Sequence, residues 1–204
     1  MLEAKDLGCV RGDRRLFSDV NFSLSPGSLL QVRGPNGSGK TSLLRMICGL
    51  LAPAEGLISW RGANINSLGE DYFNSLSYLG HRNGLKEELT PLENLRIAGG
   101  LVGTDLSLKE ATSVLGKVGL SGLEHLPARL LSEGQRRRTA LARLLTSVTS
   151  LWVLDEVLTS LDSSAVRFVT SLLEEHLKKG GITVVATHHE LDLPTDSFQR
   201  LDLA

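Results

Sequence analysis

One eight-residue segment constrains the fold of this chain more than any other part of its sequence. It reads G-x-x-x-x-G-K-T, the pattern of a phosphate-binding loop. Its members are Gly34, Pro35, Asn36, Gly37, Ser38, Gly39, Lys40 and Thr41. The apolar run at 28–32 predicts a buried strand, and Leu43, Leu44 and Ile47 share one side of a predicted helix that starts at Thr41. This context favours a strand–loop–helix unit over an ordinary glycine-rich turn.

The chemistry suited to such a loop is the binding of a nucleoside triphosphate. Glycines let successive backbone N–H groups curl around phosphate oxygens, and a helix N-terminus adds partial positive charge. We expect Lys40 to reach the β- and γ-phosphates and the Thr41 hydroxyl to ligate Mg²⁺. Ser42, the next residue of the helix, belongs to the same predicted set of nucleotide-binding residues.

Size and composition restrict the other classes of function. The 204 residues suit one α/β domain with a small subdomain, and 41% hydrophobic residues are enough for a core. A formal net charge of −1 gives no reason to expect nucleic acid as a partner. No apolar run approaches the ~18 residues needed to span a bilayer, and no signal sequence is expected at Met1, so any membrane role would come through another chain. Cys9 and Cys48 lack metal or disulfide spacing, which fits a reducing cytoplasm.

The order of predicted elements indicates an α/β fold with a mostly parallel core sheet. An antiparallel β region is expected first, with a strand at 2–7, a polar turn at 9–15 and an alternating strand at 16–24. Strands alternating with helices then imply the parallel sheet. A helical subdomain at about 82–131 is predicted inside this single domain of residues 1–204, with one helix capped by Thr90, a second at 108–118 and a looser element at 123–130.

Two buried strands are predicted to end in chemically active side chains. The run at 151–154 ends in Asp155 and Glu156, and the run at 182–186 is followed by His188. Parallel strands bring such ends to the edge where a ligand binds. Asp155 suits a second Mg²⁺ contact through water, Glu156 a general base for an attacking water, and His188 a contact with the γ-phosphate. The plainer alternatives are a polar strand terminus and a hydrogen-bonded histidine.

The turn before the three consecutive arginines has two interpretations. Ser132 and Gln135 have the spacing of a capping box, which predicts the start of a helix. A capped helix N-terminus with a serine and the N–H of Gly134 could also clamp a phosphate. The arginines at 136–138 are expected to form a solvated helix face or to pair with nearby acids.

The motifs GPNGSGKT, LSEGQ, LWVLDE, SLD and TH occur in an order that resembles the ATPase subunit of ABC transporters over nearly the whole chain. The resemblance implies ATP as the nucleotide, Asp155 on the metal side, Glu156 as the catalytic carboxylate and His188 as the switch histidine. It further implies that the segment 131–135 is the signature that clamps the γ-phosphate of an opposite subunit. The segment 160–162 matches a dimer-contact loop. The active unit would then be a head-to-tail homodimer with two ATP molecules between phosphate loop and signature.

Four positions depart from the family pattern. His81 stands where the family has glutamine and could still contact water or Mg²⁺, and Val157 replaces the proline after the catalytic glutamate. Glu133 puts an acid into the signature turn, where like charge would weaken phosphate binding unless the side chain points away. The early aromatic that stacks on adenine has no clear match, since Val10 or Arg11 occupies its region.

The segments YLGH, LTPLENL, LWVLDE and KGGITVVATH resemble the heme-exporter branch of these ATPases, which serves cytochrome c maturation. That resemblance implies a peripheral subunit at the cytoplasmic face of the inner membrane, docked on a polytopic membrane subunit. Heme would be handled only indirectly, because the cargo path would lie in the partner. The alternatives are a soluble ABC-type ATPase of metallocofactor assembly or translation, an ABC transporter ATPase with different cargo, and a P-loop kinase.

Overall fold

The computed structural model describes residues 1–101, 103–159, 161–189, 191, 193 and 198–204. Within these residues the strands are β1 (Leu2–Arg11), β2 (Arg14–Leu24), β3 (Leu29–Arg33), β4 (Glu55–Trp60), β5 (Ala63–Asn64), β6 (Leu76–Leu79), β7 (Leu151–Asp155), β8 (Ile182–Ala186) and β9 (Phe198–Asp202). The α-helices are α1 (Lys40–Ile47), α2 (Ile65–Leu68), α3 (Glu70–Phe73), α4 (Pro91–Leu101), α5 (Leu108–Lys117), α6 (Glu133–Leu145) and α7 (Ser163–Lys178). None of the helices in the described part of the chain is long and apolar enough to cross a membrane.

The chain begins with a four-stranded sheet in the order β2-β1-β4-β5, whose pairs are antiparallel. The predicted turn at 9–15 is too long: Val10 pairs with Arg15 and Arg11 with Arg14, so Gly12 and Asp13 alone form the turn. A two-residue hairpin turn needs positive φ, which Gly12 adopts at φ +58°. Because β1 pairs with β2 as far as Arg11, the strand continues past its predicted end at residue 7.

The second sheet has five strands in the order β6-β7-β8-β3-β9. The pairs β7–β8, β8–β3 and β3–β9 are parallel, and β7 and β8 are buried along their whole length, which confirms the predicted parallel core sheet. The carboxyl ends of β3, β7 and β8 meet at one edge, since Val32 and Asp155 both pair with Ala186. β9 lies at one edge of this sheet.

The chain folds into two compact units. The first consists of Met1–Tyr78, Thr149–Glu156 and Leu173–Ala204. Its core is one cluster of buried side chains drawn from both sheets and from α1, including Leu2, Leu30, Leu44 and Val153. The helix α1 starts at Lys40, one residue before the predicted position, and Gly49 with φ +69° follows its end.

The second unit consists of Leu79–Val148 and Val157–Leu172. It includes the whole segment predicted as a helical subdomain, 82–131, and extends beyond that segment on both sides. Leu95, Leu115 and Ala142 form its core between α4, α5 and α6. Thr90 caps α4 as predicted, because its Oγ1 accepts the Glu93 N–H at 3.2 Å. The looser element predicted at 123–130 consists of turns and one 3₁₀ turn at Ala128–Leu130.

Candidate nucleotide site

The loop between β3 and α1 has a backbone that only glycine can supply at its key positions. Gly34, Gly37 and Gly39 all have positive φ, at +144°, +85° and +103°. A Cβ added to Gly34 would meet the Leu203 carbonyl oxygen and lie 2.6 Å from Ser38 Oγ. One added to Gly39 would lie 2.9 Å from the Phe17 ring. Both conformation and space therefore require glycine at 34 and 39.

Lys40 lies inside the curl of this loop. Its Nζ donates hydrogen bonds to the carbonyl oxygens of Gly34 at 2.7 Å and Pro35 at 3.2 Å, and the residue is 8% exposed. An ammonium group has three protons, so one donor remains for a further acceptor. Pro35, Asn36 and Gly37 form the exposed tip of the loop. The geometry thus places a buried positive charge within reach of an anion on the loop.

Two further features of the loop suit a phosphate ligand. The buried Ser38 Oγ has no hydrogen-bond partner among the described residues, although an unpaired buried hydroxyl is costly. The N-terminus of α1 has no side-chain cap and no acidic residue in its first turn, so the backbone N–H groups of Thr41 and Ser42 are not used by a cap. Phosphate oxygens are the acceptors that such N–H groups and a partial positive helix end favour.

Thr41 and Asp155 come together at the end of β7. The Thr41 hydroxyl donates to Asp155 Oδ2 at 2.9 Å, and Asp155 is 1% exposed. A hydroxyl oxygen and a carboxylate in contact are hard oxygen ligands of the kind that Mg²⁺ prefers, so these residues fit a magnesium ion. Burial raises the pKa of the neighbouring Cys48 thiol to about 12, with the Asp155 charge adding to the effect. Cys48 is therefore an inert buried side chain.

Glu156 follows Asp155 in a strained backbone conformation. Its φ is +54°, in the left-handed region that is unfavourable for a side chain with a Cβ, and its N–H donates to the Ala186 carbonyl at 2.9 Å. One carboxylate oxygen lies 3.5 Å from His188 Nε2. The His188 side chain is 58% exposed and that of Glu156 is 18% exposed. The structure thus brings together Lys40 with Thr41 and Asp155, and Glu156 with His188, in the first unit.

The signature turn lies in the second unit and forms the predicted capping box. Ser132 Oγ accepts the Gln135 N–H at 3.2 Å, and Gln135 Oε1 accepts the Ser132 N–H at 2.8 Å. Because Ser132 accepts in this bond, its own hydroxyl proton is not used by the cap. Gly134 is the second residue of α6, among the N–H groups at the partially positive end of the helix.

The acid in this turn is held by its neighbours. The Glu133 carboxylate accepts hydrogen bonds from Arg136 Nε at 3.2 Å and Nη2 at 2.9 Å, and from Asn83 Nδ2 at 2.9 Å. These contacts, that with Arg136 first, lower the pKa of Glu133, which is mostly exposed. The negative charge that the sequence places in the turn is thus paired with Arg136.

The three arginines after the turn have three different environments. Arg136 pairs with Glu133, and Arg138 pairs with Asp162 Oδ2 at 2.6 Å, as predicted. The solvated alternative is wrong for Arg137, which is 4% exposed. Its guanidinium donates to the carbonyl oxygens of Gly80 at 3.0 Å and Val157 at 3.3 Å. The available signal was spacing, since residue 137 precedes the buried positions 140, 141 and 144 on one helical stripe.

Other predicted site residues stay predictions. His81 is exposed and belongs to the second unit, where its carbonyl oxygen lies 3.5 Å from Arg137 Nη1. Ser160 of the predicted dimer-contact loop lies outside the described residues, whereas Asp162 caps α7 by accepting the Ala165 N–H at 2.8 Å. Val10 is 41% exposed near the end of β1.

Comparison with known proteins places this geometry in a family. Residues 17–159 match the family described as ABC transporter. The chain is similar to the cytochrome c biogenesis ATP-binding export protein CcmA of Nitrosospira multiformis, at 57% identity over 99% of this chain and 98% of the relative. The protein of the same name from Nitrosomonas europaea is 52% identical over 100% of this chain and 96% of its own length.

Solved structures show the same fold. A putative ABC transporter ATP-binding protein from Pyrococcus furiosus has a TM-score of 0.84 at 26% identity, covering 99% of this chain and 96% of its own. A dimeric ATP-binding cassette in a post-hydrolysis state, bound to ADP and Pi, has a TM-score of 0.80 at 25% identity, covering 93% and 88% of the two chains.

Proposed function

The chain belongs to the ABC transporter family, and from this we propose that it is the ATP-hydrolysing subunit of a transporter that drives heme export for cytochrome c biogenesis. The relatives of 57% and 52% identity over the whole chain carry a name with that function. The observation that carries the ATPase part is the contact of Thr41 with Asp155 beside a loop whose lysine is buried within it. The cargo rests on the relatives, and heme is handled through a partner.

In the proposed reaction each side chain has one task. The loop N–H groups and Lys40 hold the β- and γ-phosphates of ATP, while Thr41 and Asp155 hold Mg²⁺. When bound there, Mg²⁺ neutralises charge on the phosphate oxygens. Glu156 accepts a proton from a water whose oxygen bonds to the γ-phosphorus, and the bond from that phosphorus to the bridging oxygen breaks, so ADP leaves with the electron pair. His188, 3.5 Å from Glu156, orients the water and the γ-phosphate.

The complete site is proposed to need a second copy of the chain in head-to-tail orientation. The Ser132 hydroxyl proton and the Gly134 N–H of one copy would meet the γ-phosphate held by the other copy, with Gln135 fixing the turn. His81 would contact water or Mg²⁺. A polytopic membrane subunit is the second partner, which would hold the chain at the cytoplasmic face of the inner membrane as a peripheral subunit, with no role for nucleic acid.

The ATPase part is tested by Glu156→Gln. The amide keeps the shape of the side chain and cannot accept the proton, so turnover should fall by about 10²–10⁴-fold while ATP binding persists. Sedimentation should then show a dimer in ATP and Mg²⁺. Glu175→Gln, whose side chain is exposed on α7 and pairs with Lys179, is the matched control and should behave as wild type. A monomer under these conditions would count against the sandwich, and Lys40→Ala with unchanged ATP affinity would contradict the proposed role of the loop.

The transport part is tested in cells. The tagged chain should co-purify from detergent-solubilised membranes with a polytopic protein, and Glu156→Gln should abolish covalent attachment of heme to cytochrome c. Normal cytochrome c in that variant would exclude the heme role. Recovery of the chain without any membrane protein would favour the soluble ATPase of metallocofactor assembly.

A further inference from the structure

The interior strand of the parallel sheet carries a polar side chain in its centre. Gln31 lies in β3 between β8 and β9 and is fully buried. Its Nε2 donates to the carbonyl oxygen of His189 at 2.9 Å and, at the longer distance of 3.5 Å, to that of Thr187. Its Oε1 is buried without a hydrogen-bond partner among the described residues. Both donor contacts of this amide therefore go to residues on either side of His188.

A second hydrogen bond, within the turn itself, also constrains the backbone around His188. Thr187 is fully buried, and its Oγ1 accepts the His189 N–H at 3.1 Å, which closes a short turn over residue 188. His188 thus lies between two anchored residues while its exposed ring extends to within 3.5 Å of Glu156 Oε1. Since the ring itself is exposed, its direction depends on how firmly this turn is held.

A role in packing alone does not explain a glutamine here. Leucine or methionine would fill a similar volume in β3 without introducing the unpaired acceptor Oε1, and an unpaired buried acceptor lowers stability. The contacts that glutamine makes and those residues could not make are the bonds to the turn at 187–189. The amide therefore has a local structural cost and a benefit confined to the segment that presents His188.

We propose that Gln31 is a positioning residue for ATP hydrolysis, which fixes the turn at 187–189 so that the His188 ring meets Glu156 and the γ-phosphate. The inference rests on the proposed function of His188 and deepens it. By this inference β3 contributes to the reaction in two ways, through the Gln31 side chain and through the phosphate-binding loop that follows the strand. Gln31 touches no reacting atom and acts through His188.

The test is Gln31→Met in the full-length chain, with Thr183→Val as the matched control. Small misplacements of an acting group cost up to about 10²-fold in rate, so kcat should fall about 10-fold or more while KM for ATP changes little. Thr183 Oγ1 is also buried without a partner among the described residues, in the adjacent β8, so its removal should leave kcat unchanged. Thermal unfolding of Gln31→Met should occur close to the wild-type temperature, because the substitution removes the unpaired Oε1 but also takes the amide donor from the His189 carbonyl oxygen. Gln31→Leu is the second substitution if Gln31→Met folds poorly.

A double-mutant cycle separates positioning from a general structural effect. If Gln31 acts through His188, Gln31→Met should cause no further loss of kcat in the His188→Ala background. Amide hydrogen exchange at His189 should be faster in Gln31→Met and unchanged in Thr183→Val. An equal loss of kcat in both backgrounds, or wild-type kcat in Gln31→Met, would overturn the inference alone. Full activity of His188→Ala would overturn the proposed role of that histidine together with the inference.

Discussion

Glu156 and Gly39 both have positive φ at the candidate site, but only Glu156 is strained by it. Glu156 adopts φ +54° despite its Cβ, a conformation that costs of order 1–2 kcal/mol. Gly39 at φ +103° avoids this cost because it lacks a side chain. Strain at a carboxylate directly after a buried strand is typical of functional positions. The site therefore has its unusual backbone at the residues proposed to bind phosphate and accept a proton.

Alanine substitutions of two loop glycines should differ in their cost. Both Gly37 and Gly39 have positive φ, so each change to alanine should cost about 1–2 kcal/mol from the backbone. A Cβ at Gly39 would also press on the Phe17 ring at 2.9 Å, whereas one at Gly37 would meet nothing within 4 Å. We expect Gly39→Ala to lower the free energy of unfolding by a further 1–3 kcal/mol or so, the usual cost of overpacking. Urea denaturation measures both; equal losses would show that the Phe17 contact is relaxed without cost.

The end of α7 is joined to β7 by a stacked pair of rings. The His176 and Trp152 rings lie 3.9 Å apart at an interplanar angle of 8°, and His176 Nε2 is 3.3 Å from the Ile182 carbonyl oxygen. A Cβ at Gly181 would overlap the imidazole, so the chain gives the ring its space by having glycine there. Burial lowers the pKa of His176 below its usual range. The stacked pair is therefore a structural contact in which the charge of one ring, His176, depends on pH.

Stability should fall on the acid side because of His176. Its folded pKa lies below the ordinary value of about 6.5, so the unfolded chain binds the proton more readily. Above about pH 6.5 the imidazole is neutral in both states and has no effect on the pH dependence of stability. As the pH falls from there through the lower folded pKa, the unfolded chain takes up the proton first and the free energy of unfolding decreases. The difference in unfolding free energy between wild type and His176→Phe, which keeps a ring on Trp152, should therefore change between pH 8 and pH 5 or so. A difference that is constant with pH would contradict this prediction.

The helix α6 has one buried arginine between two half-buried ones, and substitutions of the buried and half-buried residues should differ in their cost to the free energy of unfolding. Arg137→Met removes charged donors from the carbonyl oxygens of Gly80 and Val157, and should cost at least about 2 kcal/mol, since hydrogen bonds to charged groups are worth about 1.5–3. Arg136→Met removes a pair with the mostly exposed Glu133 and should cost less than about 1 kcal/mol. Chemical denaturation compares the two. Equal costs would mean that the buried network of Arg137 adds nothing to stability.

The whole assembly is proposed to contain composite sites, and mixing two inactive variants tests this. Lys40→Ala removes the phosphate ligand of one copy, and Ser132→Asp keeps an N-cap residue while placing a negative charge against phosphate. In a head-to-tail pair of the two variants, one site has both defects and the other has none. ATPase activity should therefore return on mixing, although each variant alone is inactive. No recovery in mixtures that form dimers would contradict the shared site.

Much of this molecule follows from interactions between residues close together in the chain. The glycine spacing of 34–39 specifies the loop, the capping box of Ser132 and Gln135 starts α6, and the apolar runs specify β7 and β8. These patterns are readable because each depends on backbone geometry and burial within a few residues. They also determined the family, since the order of motifs is a property of the sequence alone.

Other features were decided by contacts between distant parts of the chain. Gln31 bonds a carbonyl oxygen 158 positions away, Arg137 one 57 positions away, and Thr41 a carboxylate 114 positions away. Nothing in the local sequence states that a glutamine in a strand will hold a histidine turn, or that the middle one of three arginines will be buried. Such partners exist only after the sheet and helices have packed. Local sequence patterns predict the fold and the residues available for chemistry, whereas the packing of distant segments establishes which of them touch, because a hydrogen bond depends on distance in space.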